Sequence, residues 1–256
     1  MHILDQAPIA LRTAQALVAA SALAVGVQAN ATSINYGDFS GSTVMYLDVT
    51  ETANSPGDTA PLFGAPSIAG DQLDFDPAGF SAASTDGVTD LTDGQLNFTL
   101  MATGGATLEV IEISESGDYT LFGSGTSATQ VGYGLTLASV VVTEVDGVAI
   151  TPVALSGASV SSSANLADNG PTIGSLWSLG LSYDVDAALA QAGVDFVNGA
   201  TKLEIALDNT LIAVSEDGTA ALVAKKDLSI DVEIPEPGSL ALLSLGGLLL
   251  ARRRRG

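Results

Sequence analysis

Acidic side chains make up most of the groups in this sequence that could do chemistry. The 256 residues include 29 Asp and Glu, but only eight Lys and Arg, one His and no Cys. The histidine is His2, so residues 3–256 contain neither His nor Cys. Catalytic triads built on Ser–His or Cys–His, and zinc sites made of His and Cys ligands, are therefore excluded from that stretch.

Positive charge is almost missing from the central part of the chain. Between residues 33 and 234 three lysines, Lys202, Lys225 and Lys226, stand against 27 Asp and Glu, a formal net charge of −24. No arginine is available there to clamp a phosphate, and no glycine-rich phosphate loop ends in Lys-Ser or Lys-Thr. Such a surface repels nucleic acid and anionic lipid head groups, so we expect no nucleic-acid partner.

Two aspartate clusters could bind a hard cation. Asp71, Asp74 and Asp76 lie in GDQLDFDPAG, and a second cluster lies in TDGVTDLTDG, residues 85–94. Carboxylate oxygens suit calcium, but neither cluster has EF-hand spacing or a closing Glu. Aspartate is also common in turns because its side chain accepts hydrogen bonds from nearby backbone N–H groups. The turn interpretation is favoured, and calcium at Asp71, Asp74 and Asp76 is the one cofactor left open.

Carboxylates alone could support glycoside hydrolysis, which needs two of them at a defined separation. No pair stands out among so many acids, and the chain has one tryptophan, Trp177, that could stack on a sugar. Within IGSLWSLGLSYDV this residue is better explained as part of a core face, with sugar stacking as the alternative. We therefore expect a protein that is not an enzyme, with a secreted glycosidase as a less favoured option.

The elements that must position these residues are β-strands. QLNFTLMA (95–102), ATLEVIEIS (106–114), LTLASVVVTEV (135–145), TKLEIALD (201–208) and DLSIDVEI (227–234) alternate apolar and polar residues. Asp-Gly and Asn-Gly pairs mark turns between them, among them Asp93-Gly94 and Asp146-Gly147. The pattern predicts a mainly β fold, an antiparallel β-sandwich of jelly-roll type with one short helix.

Several local features refine this prediction. VVVTEVDGVAITPV reads as a hairpin with Asp146-Gly147 at its turn, and residues 206–232 as successive antiparallel strands. Asp184 or Asp186 can cap a helix through AALAQA that Gly193 closes. The stretch Ser156–Gly170 is rich in Ser, Ala and Asn and is expected to be a long loop.

The N-terminal 31 residues have the form of a secretory signal peptide. Arg12 is followed by an uncharged run from Thr13 to Val27, and small residues at Ala29 and Ala31 suit signal peptidase cleavage. An amphipathic first helix is the alternative, but no polar face recurs at helical spacing.

The C-terminus has three parts in a fixed order. Pro235, Glu236 and Pro237 break regular structure, and the fourteen uncharged residues from Gly238 to Ala251 follow. A cluster of cations then ends the chain: Arg252, Arg253, Arg254 and Arg255. A helix of that length would reach about 21 Å against a hydrocarbon core of about 30 Å, with arginine stems able to snorkel. The arginines would stop transfer and stay cytoplasmic, which leaves the acidic body outside.

These three parts resemble the PEP-CTERM sorting signal of bacterial exported proteins. The resemblance implies an exosortase as processing enzyme, acting at or near Pro235-Glu236-Pro237 after an inner-membrane intermediate held by the C-terminal helix. Delivery to the cell surface or an exopolysaccharide matrix would follow. A permanent tail anchor without processing is the alternative, because the apolar run suits both.

Three segments summarise the organisation. Residues 1–31 are predicted as the signal peptide, 32–233 as an acidic β-sandwich body, and 234–256 as the sorting signal. The leading functional hypothesis is an exported structural or adhesive protein of the cell surface or matrix. A carbohydrate-binding module for exopolysaccharide is the alternative.

Overall fold

Alternating apolar and polar residues form most of the elements in the structure. The computed structural model describes residues 32–234. Within that range it contains thirteen strands and two short helices. The strands are β1 (Thr32–Ser40), β2 (Val44–Ala53), β3 (Ser67–Ala69), β4 (Gln72–Phe75), β5 (Ser81–Thr85), β6 (Thr89–Ala102), β7 (Val110–Phe122), β8 (Gln130–Val145), β9 (Val148–Leu155), β10 (Ala158–Asn165), β11 (Thr172–Asp184), β12 (Ala200–Val214) and β13 (Ala220–Glu233). The helices are α1 (Leu166–Asn169) and α2 (Val185–Gln191).

The strands form two antiparallel sheets. Sheet A has the order β1-β2-β6-β12-β8-β10, and β9 also pairs with β8. Sheet B has the order β11-β7-β13-β4-β3, and β5 also pairs with β13. The prediction of a mainly β fold built from antiparallel sheets is confirmed, while the jelly-roll assignment stays a prediction.

Both sheets contribute their inward-facing residues to one hydrophobic core. On β12 the buried positions alternate, with Leu203, Ile205 and Leu207 among them. Ile111 and Ile113 on β7 are the corresponding residues of sheet B. Each fully buried aliphatic side chain contributes about 1.5–3 kcal/mol relative to exposure, so the alternation determines which face of each strand packs inward.

The five predicted strands are present, and the Asp146-Gly147 hairpin is confirmed. Asp146 and Gly147 have φ of 52° and 76°, as a two-residue hairpin turn requires, and β8 pairs with β9 around them. The prediction that Asp93-Gly94 marks a turn is wrong, because both residues lie inside β6. A Cβ at Gly94 would lie 2.7 Å from the Phe80 ring, so this glycine serves close packing.

Residues 206–232 form two strands, but not a hydrogen-bonded pair. β12 pairs with β6 and β8 in sheet A, whereas β13 pairs with β7, β4 and β5 in sheet B. The chain crosses between the sheets at a turn where Glu216 O accepts a hydrogen bond from Thr219 N, at 3.1 Å. Sequence alternation specifies the buried face of a strand but not its partner, so the pattern could not distinguish these arrangements.

The prediction of a long loop over Ser156–Gly170 is also wrong. Residues Ala158–Asn165 form β10, which pairs with β8 along its whole length, and α1 follows. Ladder hydrogen bonds to β8 satisfy the backbone of this Ser-rich strand although few of its side chains are buried. Asn165 caps α1 by accepting a 3.0 Å hydrogen bond from Asp168 N.

The predicted helix is α2, and α1 is a second one that was not predicted. Asp184 is the N-cap of α2 and accepts a 2.8 Å hydrogen bond from Ala187 N, and Gly193 follows α2 with φ of 71°. Within residues 32–234 no helix is long and apolar enough to cross a membrane. The predicted signal peptide, its cleavage residues Ala29 and Ala31, and the segment from Pro235 to Arg255 lie outside the described residues.

Candidate functional site: a polar groove on sheet A

An open groove of about 460 Å³ crosses the outer face of sheet A. Its floor comes from four adjacent strands, β2, β6, β12 and β8. Two rows of paired residues line it. Thr50, Asn97, Ala206 and Ser139 form one row, and Thr99, Glu204 and Val141 form the other. Asp48, at a register shift in β2, lies at the end of the groove.

Small side chains create the depression. Thr50, Ala206, Ser139 and Val141 are short, so the sheet floor lies open between longer neighbours. Phe98 and Ile205 also line the groove, but their side chains are buried in the core. Apart from the small apolar side chains of Ala206 and Val141, the side chains that reach the groove carry hydroxyl, carboxamide and carboxylate groups rather than an aromatic ring.

A carboxyl pair lies beside the groove on the same outer face. Asp208 is two residues beyond Ala206 on β12, and it shares a side-chain hydrogen bond with Asp93 of β6. Burial and then the neighbouring Asp93 raise the pKa of Asp208 to about 7. Asp208 therefore keeps its proton over most of the acidic range, because its ionised form would be poorly solvated and would face another carboxyl group.

A second polar cluster lies inside the core. Lys225 of β13, Glu115 of β7 and Asn209 of β12 all project between the sheets. The Nζ atom of Lys225 pairs with the carboxyl group of Glu115 and donates a hydrogen bond to Asn209 Oδ1. The sequence pattern did not predict this cluster, although it contains a signal for it. Glu115 and Asn209 occupy inward positions of alternating strands, where their neighbours at i±2 are apolar or small, and Lys225 follows the inward residue Val223.

Glu51 organises the loop that covers this cluster. Its carboxylate is buried and accepts hydrogen bonds from Leu62 N, from Phe63 N at 3.2 Å and from the Tyr36 hydroxyl at 2.7 Å. These contacts fix Phe63, whose ring lies against Phe80 with centroids 4.9 Å apart.

The three predicted calcium ligands are placed differently from one another. The Oδ1 atom of Asp71 accepts hydrogen bonds from Thr43 N at 2.7 Å and Val44 N at 3.1 Å, and Oδ2 accepts one from the Thr43 hydroxyl. Burial alone would raise the pKa of Asp71, but these hydrogen bonds lower it. Asp71 therefore holds the connection between β1 and β2, as the turn interpretation expects.

Asp74 lies on β4, and Asp76 is exposed just beyond the end of that strand. Burial, with Asp227 and Asp76 nearby, raises the pKa of Asp74. Among residues 32–234 no three acidic side chains are grouped so that they could hold a metal ion. Calcium binding by this cluster stays a prediction.

Trp177 lies in the core at 5% exposure. Its ring stacks on Tyr133 with centroids 4.5 Å apart, and its Nε1 donates to Ala224 O at 3.2 Å. A Cβ at Gly117 would lie 2.8 Å from the indole, so this glycine makes room for it. The position agrees with the core-packing interpretation, and contact with a sugar would first require the ring to be uncovered.

Comparison with known proteins identifies the end of the chain. A family model described as the PEP-CTERM protein-sorting motif matches residues 233–255. The chain carries a PEP-CTERM sorting motif. The resemblance noted in the sequence is thereby confirmed, and the motif supports export of this protein. A search of curated proteins found no match.

Solved structures similar to this chain include two carbohydrate-binding modules. The "xylan-binding module CBM15" is 14% identical, with 75% of this chain and 97% of that chain covered and a TM-score of 0.22. TmCBM61, solved with β-1,4-galactotriose, is 10% identical, with 72% and 82% covered and a TM-score of 0.21. A family 12 xyloglucanase from Bacillus licheniformis is 11% identical, with 80% and 100% covered and a TM-score of 0.22. Because these TM-scores are low, we draw neither a fold nor a ligand from them.

Proposed function

We propose that this protein is a non-catalytic, adhesive component of the cell surface or extracellular matrix. An exosortase would process it at the PEP-CTERM motif, after signal peptidase has removed residues 1–31. The body would then bind exopolysaccharide in the groove on sheet A. The sorting motif supports the location, and the groove is the observation that carries the binding role.

The groove offers the groups that recognise a polyhydroxylated chain. Asn97 can both donate and accept hydrogen bonds, as can the hydroxyl groups of Thr50, Thr99 and Ser139. A row of such groups across four strands suits an extended ligand lying across the strands. Without an aromatic ring on which a sugar could stack, binding would depend on many hydrogen bonds and be modest for each sugar unit.

The negative charge of the groove limits the class of glycan that it could bind. Asp48 and Glu204 line the groove, and residues 33–234 carry a formal net charge of −24. Uronic-acid polymers would be repelled, so we expect a neutral or amino-bearing glycan.

The carboxylate geometry favours binding over hydrolysis. Asp93 and Asp208 are hydrogen-bonded to each other, closer than the separation of about 5–9 Å that glycosidases use. Glu204 lies four residues from Asp208 along β12, which corresponds to about 13 Å of strand. Neither pair has the spacing of an acid and its nucleophile or base. The raised pKa of Asp208 is the one feature that favours the second candidate, a secreted glycosidase.

Affinity electrophoresis and calorimetry against exopolysaccharide purified from the host would test the proposal. Asn97→Ala should weaken binding about tenfold because it removes hydrogen bonds to the ligand, and Glu204→Gln should do the same because a neutral amide oxygen is a weaker acceptor than a carboxylate. Glu233→Gln, an exposed change of the same charge on β13 of sheet B, is the matched control and should leave binding unchanged.

Three outcomes would contradict parts of this proposal. Absence of binding by the wild type, or equal binding by the groove variants, removes the groove as the site. A steady rise of reducing ends that Asp208→Asn abolishes would replace it with the glycosidase. Stronger binding of uronic-acid polymers than of neutral ones would overturn the ligand class.

A further inference from the structure

The buried cluster joins three strands of both sheets at one point in the core. Lys225, Glu115 and Asn209 are 1%, 2% and 0% exposed. Lys225 and Glu115 come from the paired strands β13 and β7 of sheet B, and Asn209 faces them from β12 of sheet A. A register shift at Lys226 keeps both Lys225 and the later apolar residues of β13 directed inward.

The surroundings of the lysine are aromatic. The Nζ atom lies 5.0 Å from the centroid of the Phe80 ring and 5.7 Å from that of Phe63. On its remaining sides it contacts Glu115 Oε2 and Asn209 Oδ1. The amine is thus held against an amide and a carboxyl group, away from solvent.

Two atoms of this cluster are left unpaired. Among residues 32–234, neither Glu115 Oε1 nor Asn209 Nδ2 has a hydrogen-bond partner, although both are buried. A buried ion pair is stabilising only when its remaining polar atoms are also satisfied. The cluster is therefore poorly explained as a purely structural ion pair. The unpaired nitrogen of Asn209 is the atom that would leave if the Asn209 carbonyl group acylated the amine of Lys225.

We propose that Lys225 Nζ and Asn209 Cγ become joined by an intramolecular isopeptide bond, with Glu115 as the catalytic proton carrier. The bond would form once, after folding, and would link sheet A to sheet B.

Burial prepares the protonation states that this reaction needs. It lowers the pKa of Lys225 and raises the pKa of Glu115, in each case as the largest effect and against the attraction between the two groups. Both shifts favour a neutral amine beside a neutral carboxylic acid. The amine then has the free electron pair that a nucleophile requires.

The reaction balances without any other reagent. The Nζ electron pair attacks Cγ of Asn209, the Nζ–Cγ bond forms, and the carbonyl pair moves onto Oδ1. Glu115 gives its proton to Nδ2 and takes one from Nζ. The carbonyl then re-forms, the Cγ–Nδ2 bond breaks, and one ammonia leaves. Glu115 ends as it began, protonated, and nothing is oxidised or reduced.

Such a bond would suit a protein that has no cysteine. Asn209 and Lys225 are 16 residues apart, and the bond would close the β12–β13 crossing. The sorting motif follows β13 directly in sequence. Tension entering from the C-terminal end would pass from β13 across the bond into β12, and residues 210–224 would carry none of it.

Peptide mapping of the full-length protein tests this directly. A protease specific for glutamate cuts after Glu216, between the two joined residues. After denaturation and digestion, the bonded protein should yield one branched species holding both residues, lighter than its two peptides together by one ammonia. Two separate peptides from the wild type would overturn the proposal. Loss of ammonia without linkage, as from cyclisation at an Asn-Gly pair, would also overturn it.

Variants separate the roles of the three residues. Lys225→Arg should abolish the branched species, whereas the neighbouring Lys226→Arg should leave it unchanged. Asn209→Asp should still link, but with loss of one water instead of ammonia. Glu115→Gln keeps amine and amide together, and the linked fraction should fall from nearly complete to none. Linkage that persists in Glu115→Gln would overturn the role of Glu115, and the wild-type digest stands even if a variant fails to fold.

Discussion

Asp208 and Asn209 are neighbours on β12, yet they belong to different environments. Asp208 faces outward beside the groove and meets another carboxyl group at the edge of solvent. Asn209 faces inward and meets a lysine in an aromatic pocket. Because strand side chains alternate, one residue of sequence separates a hydrated polar surface from a dry polar cluster. Burial, more than residue type, therefore decides the role of a polar group here. An outward group can bind a ligand, whereas an inward group can only interact or react with its neighbours in the core.

The energetic consequences differ accordingly. Outer-face groups exchange water for ligand at little cost to folding, because they are already solvated. Inner groups lost their water on folding, so each depends on its partners in the core. Substitutions of the core-facing polar residues should therefore lower stability strongly, whereas substitutions on the outer face of sheet A should chiefly affect ligand binding.

The largest effect is expected at Lys225. Lys225→Met leaves the polar groups of Glu115 and Asn209 buried without their partner, each at a cost of about 1–3 kcal/mol, so the free energy of unfolding should fall by about 3–5 kcal/mol. Lys226→Met is the matched control, since this lysine is exposed and pairs with Asp118 at the surface, and should change it by less than about 0.5 kcal/mol. Denaturant unfolding measures both. Equal losses of unfolding free energy in the two variants would contradict the proposed difference between the buried and the exposed lysine.

An intermediate effect is expected at Asp71, which holds the connection between β1 and β2. Asp71→Ala leaves the N–H groups of Thr43 and Val44 without their acceptor and should cost about 1–2 kcal/mol. Asp76→Ala, an exposed change in the same cluster, should cost less than about 0.5 kcal/mol.

The same two variants test calcium. If the cluster binds the ion, a chelator should lower the thermal midpoint of the wild type, and both variants should lose that response. An unchanged midpoint in the wild type removes calcium and leaves Asp71 as a turn residue.

A smaller, pH-dependent effect is expected at Asp208. Its pKa is about 7 in the folded protein against an ordinary 3.8, so the folded state holds the proton more tightly. The associated stability is fully present below about pH 4 and is lost as the pH rises through 7. Because Asp208 is only half-buried, we expect this loss to be about 1 kcal/mol. Asp208→Asn should flatten that part of the stability profile between pH 4 and 8. If the stability of Asp208→Asn depends on pH as steeply as that of the wild type, another group is responsible for the pH dependence.

The smallest stability effect is expected in the groove. Glu204→Gln should change the free energy of unfolding by less than about 0.5 kcal/mol, since this exposed side chain packs against nothing in the core. Its effect should appear in ligand binding instead. A loss of stability comparable with that of Lys225→Met would show that the groove is structural.

Much of the fold could be predicted from local pattern. The strand around Leu203 and Leu207, the hairpin at Asp146-Gly147 and the helix capped by Asp184 all depend on residues close in sequence. The turn predicted at Asp93-Gly94 was wrong because an Asp-Gly pair has the same sequence signal inside a strand as in a turn. Only the structure shows that Gly94 is needed there because the Phe80 ring packs against it. The β10 strand was missed because its Ser-rich residues carry little apolar signal.

By itself, the sequence determined the alternating strands, the lack of His and Cys chemistry in residues 3–256, the acidity of the body and the sorting motif at its end. Only the tertiary structure decided that β12 and β13 lie in opposite sheets and that Glu115 meets Lys225 from 110 residues away. It also decided that four strands place small polar residues side by side in one groove. The physical reason is that alternation specifies which face of a strand is buried, whereas its neighbours depend on packing between distant parts of the chain.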